Sequence, residues 1–191
     1  MIIHSYNERH EYLLFIDLEF NNKSLVQFSG LLFKQIDKEV YQMMRSCNFY
    51  ISQQVCYPFA EYTSITNNFL IDNGVPLADA IELINEFLAD VDINNLCVIS
   101  HGLKNDRLIL IENGIQFTHK ENGQPIDGYC TFNNAKRILG RNNHLTLTDL
   151  AEESGYYLHH AHNAYNDVWA EVAVYTFLKK VEAQQSQKGE S

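Results

Sequence analysis

The sequence predicts an α/β fold, in which a mixed sheet carries an antiparallel N-terminal hairpin and is flanked by helices. Strand-like apolar segments come first, and segments with helical spacing then alternate with further strands. The central strand segments are largely apolar, which is typical of strands that are covered on both faces. The length of 191 residues falls within the size of one globular domain.

Four segments are predicted to be strands. Leu13–Leu18 has the composition of a buried strand, and Leu25–Lys34 alternates loosely beyond the polar turn Asn21–Ser24. These two strands are therefore expected to pair as a hairpin. Phe49–Val55 contains enough aromatic and β-branched residues for a third strand, and Leu96–Ser100 is a short continuous apolar strand.

Helical spacing of apolar residues predicts five helices: Leu77–Leu88, Leu103–Glu112, Cys130–Leu139, Thr146–Ser154 and Ala164–Val181. The third is expected to end at Gly140, and Thr146 or Thr148 is suited to cap the start of the fourth. The polar segment Ala183–Ser191 has nothing to pack, so it is predicted to be a disordered tail behind a single domain of residues 1–182.

The composition limits the classes of function. No apolar stretch reaches the ~18 residues that span a bilayer, and the N-terminus lacks the pattern of a secretory signal. The four cysteines are not clustered, which favours reduced thiols and a cytoplasmic location. A net charge of −10 argues against broad wrapping of duplex DNA, because that binding depends on many phosphate contacts.

Two acidic residues interrupt the first predicted strand. Asp17 and Glu19 are two residues apart, so their side chains project from the same face of an otherwise apolar segment. Burying two like charges side by side is unfavourable unless a cation neutralises them. Mg²⁺ and Mn²⁺ prefer such oxygen ligands, so the pair predicts a divalent metal site.

Two further acidic residues lie where helices are predicted to begin. Asp106 closes the segment His101-Gly-Leu-Lys-Asn-Asp106, just beyond the strand Leu96–Ser100. Asp167 closes the segment His162-Asn-Ala-Tyr-Asn-Asp167 on the opening turn of the last helix. The dipole of a helix stabilises an ionised carboxylate at this position, so both are available as ligands.

The ordered set of Asp17-x-Glu19, Asp106 and His162-x4-Asp167 resembles the DEDDh class of 3′–5′ exonucleases, which have a ribonuclease H-like fold. The resemblance extends over roughly residues 12–178 and includes Thr63–Asn68. It implies two Mg²⁺ or Mn²⁺ ions held by the four carboxylates, with His162 as general base. The implied reaction is stepwise hydrolysis of single-stranded DNA or RNA from a 3′ end, with release of nucleoside 5′-monophosphates.

Substrate contacts are predicted for Phe20, His101 and Asn105. Many members of the class have Thr after the first Glu and Phe before the second-motif Asp, whereas this chain has Phe20 and Asn105. Phe20 is suited to stack on a terminal base, although the same residue type is equally suited to close the core at a strand end. His101 lies five residues before Asp106, which is a reasonable place for a substrate contact.

Two alternative functions remain open from the sequence. A ribonuclease H-like module that binds nucleic acid or a protein partner without cutting is supported by Phe20, Asn105 and the acidic composition. A mononuclear zinc hydrolase is supported by the run His159-His160-Ala-His162. The sequence does not distinguish DNA from RNA, and it leaves the oligomeric state open, with a homodimer as one arrangement common among small enzymes.

Overall fold

Apolar segments dominate the first third of the chain, and they form most of one mixed sheet in the computed structural model, which describes residues 1–119 and 121–189. The strands are β1 (Ile2–His4), β2 (Tyr12–Asn21), β3 (Ser24–Asp37), β4 (Val40–Ile51), β5 (Gly74–Val75), β6 (Leu96–Ser100) and β7 (Gly128–Cys130). The helices are α1 (Tyr57–Thr63), α2 (Asn67–Asn73), α3 (Leu77–Phe87), α4 (Leu103–Glu112), α5 (Thr131–Leu139), α6 (Leu147–Ser154) and α7 (Ala164–Gly189).

The sheet has the order β1-β4-β3-β2-β6-β7, and β5 pairs with β4 at its edge. β2 and β3 are antiparallel, which confirms the predicted hairpin, whereas β2, β6 and β7 run parallel. The carboxyl ends of β2 and β6 therefore lie at the same edge of the sheet. The pairing of β2 with β3 shifts register between Glu19 and Phe20, and such bulges often lie beside active sites.

The alternation of side chains along β2 decides which helices cover each face. Leu14 and Ile16 pack in one apolar cluster with residues of α3 and α4, whereas Leu13 and Phe15 pack in another with residues of α7. α5 and α6 pack in turn on α7. Asp17 and Glu19 continue the odd-numbered series, so β2 directs both carboxylates to the α7 side.

The structure corrects the third predicted strand. β4 runs from Val40 to Ile51, so it begins nine residues before Phe49 and does not include Ser52–Val55. Between Tyr41 and Phe49 it contains Gln, Met, Arg, Ser, Cys and Asn, whose weak strand preference is outweighed by pairing with β3. The backbone N–H of Ser52 then donates to the carbonyl of Val75, and the chain leaves the sheet.

The prediction of a disordered tail from residue 183 is also wrong for the residues that are described. α7 extends without a break from Ala164 to Gly189. Glu, Ala, Gln and Lys are good helix formers, and lengthening an existing helix avoids the cost of nucleation. The Gln185 side chain also donates to the carbonyl of Ile138, which attaches this turn to α5. Residues 190 and 191 lie outside the described residues.

The predicted strand Leu96–Ser100 and the helices α3, α4, α5 and α6 are confirmed within a residue, whereas β2 and β3 each extend three residues beyond their predicted ends. Gly140 ends α5 in the left-handed conformation, and the Thr146 side chain caps α6 by accepting a hydrogen bond from the N–H of Asp149. β1, β5, β7, α1 and α2 were not predicted from the sequence. Within the described residues, no helix combines the length and apolar character needed to cross a bilayer.

Candidate active site

Three separate elements bring their acidic residues to one cavity at the carboxyl edge of the sheet. β2 supplies Asp17, the first turn of α4 supplies Asp106, and the first turn of α7 supplies Asp167. All three line a cavity of about 810 Å³. Asp106 and Asp167 are buried, with 8% and 7% of their surfaces exposed. The structure thus brings together carboxylates that are up to 150 positions apart in the sequence.

Glu19 belongs to the same site because it lies close to His162 and Asp167. An oxygen of Glu19, a ring nitrogen of His162 and an oxygen of Asp167 all lie within 4.8 Å of one another. The backbone N–H of His162 donates to Oδ2 of Asp167 at 2.9 Å, so the loop before α7 is fastened to the helix that follows. His162 has a φ of 67°, in the left-handed region that most residues avoid.

The three predicted substrate-contact residues also line this cavity. Phe20 is partly buried, so its ring both packs against the apolar core and lines the cavity. Nδ1 of His101 lies 2.9 Å from the Thr131 hydroxyl, and its ring meets Phe132 edge-on. Asn105 is exposed on the first turn of α4. The residues that distinguish this chain from the common exonuclease pattern therefore face the same space as the carboxylates.

Tyr62 is a cavity residue that the sequence analysis missed. Its ring lies over the imidazole of His162, with centroids 3.9 Å apart and planes inclined by 37°. Tyr62 is on α1 and remains 65% exposed. Pro58 at the start of α1 was a sequence signal for this helix, but the direction of Tyr62 depends on tertiary packing.

Glu171 is a second residue that the sequence analysis missed. It is fully buried on α7, one turn beyond Asp167, and its Oε1 accepts a hydrogen bond from the backbone N–H of His101 at 2.6 Å. Burial, followed by the charges of Asp17 and Asp106, raises its pKa well above the ordinary value. A signal was present, because Glu171 is an acidic residue among the apolar residues of this helix.

The carboxylates have raised pKa values because they are buried next to one another. Burial and the charge of Asp167 raise the pKa of Glu19 to about 7, and burial raises the pKa of Asp167 to about 6. The pKa of Asp17 lies well above 3.8 because of burial and the charges of Asp167, Asp106 and Glu19. Burial also raises the pKa of Asp106, although its Oδ2 accepts a hydrogen bond from the Ser100 hydroxyl at 2.5 Å. The site therefore has an excess of negative charge that a cation would relieve.

The donor atoms suit a hard divalent cation. Oδ1 of Asp167 is buried and has no hydrogen-bond partner among the described residues. Such an oxygen needs a partner, and a carboxylate oxygen is a preferred ligand of Mg²⁺ and Mn²⁺. The Glu19, His162 and Asp167 group is the one three-residue set in the described part of the chain with this geometry, and it does not include His159 or His160. Of the histidine run, His162 alone belongs to this group among the described residues.

We expect the metal-free protein to lose stability as the pH rises from about 4 to about 7. Glu19 has an ordinary pKa of 4.5 and a folded-state pKa of about 7, and Asp167 has values of 3.8 and about 6. Between these values the folded state binds protons that the unfolded state has released, so raising the pH favours unfolding. The unfolding temperature in EDTA should fall by several degrees across this range, as measured by circular dichroism.

The control for this prediction is the same pH series with saturating Mg²⁺. His10 has a raised pKa because of its hydrogen bond to Glu8, so its contribution to stability is present below pH 6.5 and is lost as the pH rises through its folded-state pKa. Mg²⁺ should remove only the carboxylate effect and leave that of His10. Identical pH profiles with and without Mg²⁺ would contradict the assignment of the carboxylates to a metal site.

Comparison with known proteins reveals similarity in structure. No protein-family model and no curated protein sequence matches the chain. The E. coli exonuclease I complex with a dA16 oligonucleotide superposes with a TM-score of 0.70 at 16% identity, over 91% of this chain and 42% of that one. This chain therefore spans less than half of the exonuclease I chain.

Two further solved structures are similar over a larger share of their own length. The nuclease domain of 3′hExo, described as a DEDDh family member bound to rAMP, has a TM-score of 0.65 at 10% identity, and the superposition covers 93% of each chain. A 3′-exonuclease that recognises the 3′ end of the histone mRNA stem-loop has a TM-score of 0.69 at 9% identity, over 91% of this chain and 65% of that one. These similarities show that the chain shares the ribonuclease H-like fold of these exonuclease structures.

Proposed function

We propose that the protein is a metal-dependent 3′–5′ exonuclease that hydrolyses single-stranded DNA or RNA and releases nucleoside 5′-monophosphates. The observation that carries the proposal is the meeting of Asp17, Glu19, Asp106 and Asp167 with His162 at one edge of the sheet. The similar structures are those of exonucleases, and several were determined with a bound strand or nucleotide. The fold and the donor set thus support the same activity.

In the proposed mechanism, the four carboxylates would hold two Mg²⁺ or Mn²⁺ ions. When bound, such ions activate water and neutralise the charge that develops on the phosphoryl oxygens and the leaving 3′-oxygen. His162 would accept the proton of the attacking water at a ring nitrogen. Burial lowers the pKa of His162, so its imidazole is neutral and able to accept a proton at pH 7.

The remaining cavity residues would hold the strand end. Tyr62 lies over the imidazole of His162. It would restrict the rotation of this ring and so keep it directed towards the attacked phosphate. Phe20, at the wall of the cavity, would stack on the terminal base, a contact that adds roughly 1–3 kcal/mol without demanding a sequence. Burial lowers the pKa of His101 to about 4, so it would contact the substrate as a neutral hydrogen-bonding group. Asn105 would offer an amide at the same wall.

The alternative of a non-cutting module is less compatible with the energetics of the site. Four carboxylates with raised pKa values reduce the stability of the metal-free protein at neutral pH. Binding alone does not need them, because neutral side chains would fill the same space. A cytoplasmic location and a homodimer remain predictions from the sequence.

The test of the proposal is the direction and product of hydrolysis. A 5′-labelled single strand incubated with Mg²⁺ or Mn²⁺ should shorten one nucleotide at a time and release 5′-monophosphates. The same strand with a 3′-terminal phosphorothioate block should remain intact, whereas a strand blocked at its 5′ end should be degraded normally. Internal cleavage of the 3′-blocked strand would contradict the proposal, and metal-independent binding without turnover would favour the non-cutting module.

A further inference from the structure

Glu171 occupies a place where a helix would ordinarily carry an apolar residue. It is four positions beyond Asp167, so the two side chains lie on the same face of α7. None of its surface is exposed. Its neighbours Val168, Val172 and Tyr175 pack in the core against β2. A carboxylate in such surroundings needs partners for both oxygens.

Among the described residues, only one of these oxygens has a hydrogen-bond partner. Oε1 accepts the hydrogen bond from the backbone N–H of His101, in the turn that joins β6 to α4. Oε2 is buried and has no hydrogen-bond partner among the described residues. The charges that act on Glu171 are those of Asp17, Asp106 and Asp167, which are all acidic. Lys179, a buried cation on the same helix, is bonded instead to Glu8.

A purely structural anchor does not account for this arrangement. The His101 N–H needs one acceptor, and the amide oxygen of Gln would supply it without adding a fifth carboxylate to the cluster. In the part of the chain that the structure describes, the surroundings of Oε2 lack a positive group and a hydrogen-bond donor. A hydrated divalent cation would supply both, because Mg²⁺ keeps several of its waters when it binds to carboxylates.

We propose that Glu171 is an outer-sphere carboxylate of the metal site, whose Oε2 accepts a hydrogen bond from the hydration shell of the cation. The inference rests on the proposed metal-dependent function and adds a residue to it. Through Oε1, the same side chain holds the turn that leads into α4, and α4 carries Asp106. Glu171 is thus a positioning residue that links the ligand on α4 to the ligand on α7. Outer-shell groups of this kind commonly change metal affinity by 10–100-fold.

The test is Mn²⁺ binding measured by titration calorimetry on the wild type, Glu171→Gln and Glu182→Gln. Glu171→Gln keeps the acceptor for His101 but removes the charge and the second acceptor, so Mn²⁺ should bind about 10–100-fold more weakly. Glu182 lies on the same helix and pairs with Arg137, away from the cavity, so Glu182→Gln should bind Mn²⁺ as the wild type does. Circular dichroism of the metal-free proteins checks that both variants are folded.

A second pair of variants removes the effect of side-chain length. Glu171→Asp and Glu171→Asn are nearly equal in size but differ in charge, so the Asp variant should bind Mn²⁺ at least several-fold more tightly than the Asn variant. Wild-type affinity in Glu171→Gln, or equal affinity in the Asp and Asn variants, would overturn the role of Glu171 and leave the proposed nuclease function intact. A folded wild type that binds no Mn²⁺ would overturn the metal-dependent function as well.

Discussion

Replacement of Asp17 by Asn is expected to reduce hydrolysis of a single strand by about 10³-fold or more, which corresponds to ~4 kcal/mol of transition-state stabilisation. Asp17 lies at the centre of the acidic cluster, since the charges of Asp167, Asp106 and Glu19 all act on it. Its carboxylate would therefore help to hold the bound cations. An amide keeps the shape but contributes no charge and is a poorer ligand for Mg²⁺.

The same substitution should not destabilise the metal-free protein. In that state the half-buried carboxyl group of Asp17 lies beside other acids, and a neutral amide avoids their repulsion. The unfolding temperature in EDTA should thus equal or exceed that of the wild type, while the stabilisation by added Mg²⁺ becomes smaller. This combination of higher intrinsic stability and lost activity distinguishes a functional carboxylate from a structural one.

Asp79 provides a matched control, because it is an exposed acid in the first turn of α3 on the other side of the sheet. Asp79→Asn should leave both the rate of nucleotide release and the response to Mg²⁺ unchanged. Wild-type activity in Asp17→Asn would contradict the proposed function. A fall in its metal-free unfolding temperature would instead indicate that Asp17 is part of the structural framework.

The parts of the fold that follow from local patterns could be predicted from the sequence. Apolar periodicity located α3, α4, α5 and α6, and the alternation around the turn Asn21–Ser24 located the β2–β3 hairpin. The convergence of the acids also follows from topology. Asp17 lies late in β2, Asp106 follows β6, and parallel pairing places the carboxyl ends of these two strands at one edge.

Features that depend on tertiary contact could not be predicted in this way. Residues 42–48 of β4 have little strand preference of their own and are held by their pairing with β3. α1 is seven residues long, too short to show a clear period, so Tyr62 could not be placed beside His162. Glu171 stood on the apolar face of α7, but only the structure reveals that its oxygens meet the His101 turn and the acidic cluster.

Replacement of His162 by Asn is expected to lower the turnover number by about 10²–10⁴-fold, the usual contribution of a general base. Asn suits this position because His162 has a φ of 67°, and Asn tolerates the left-handed conformation better than most residues. His160 is an exposed neighbour with a φ of 53°. His160→Asn is therefore a matched control, because it makes the same substitution at another position in the left-handed conformation. It should retain the activity of the wild type.

The decisive measurement is Mn²⁺ affinity, because the structure places His162 where it could act either as a base or as a ligand. Its ring nitrogen lies within 4.8 Å of carboxylate oxygens of Glu19 and Asp167. If His162 is the base, His162→Asn should bind Mn²⁺ as the wild type does while turnover is lost. Glu19→Gln, which removes a proposed ligand, is the reference for weakened Mn²⁺ binding. An equal loss of affinity in His162→Asn would make His162 a ligand and would contradict its assignment as the base.

The pH dependence of the wild type provides an independent check on this role. A base must be neutral to accept a proton, so turnover at saturating Mn²⁺ should fall as the pH drops through the pKa of His162. Burial holds that pKa below its ordinary value of 6.5, so most of the loss of turnover should occur below pH 7. His162→Asn should lose this acidic limb together with its activity, because no imidazole remains to be protonated. If the residual activity of His162→Asn instead fell at the same acidic pH, another group would be responsible for the titration. That result would contradict the role of His162 as the proton acceptor.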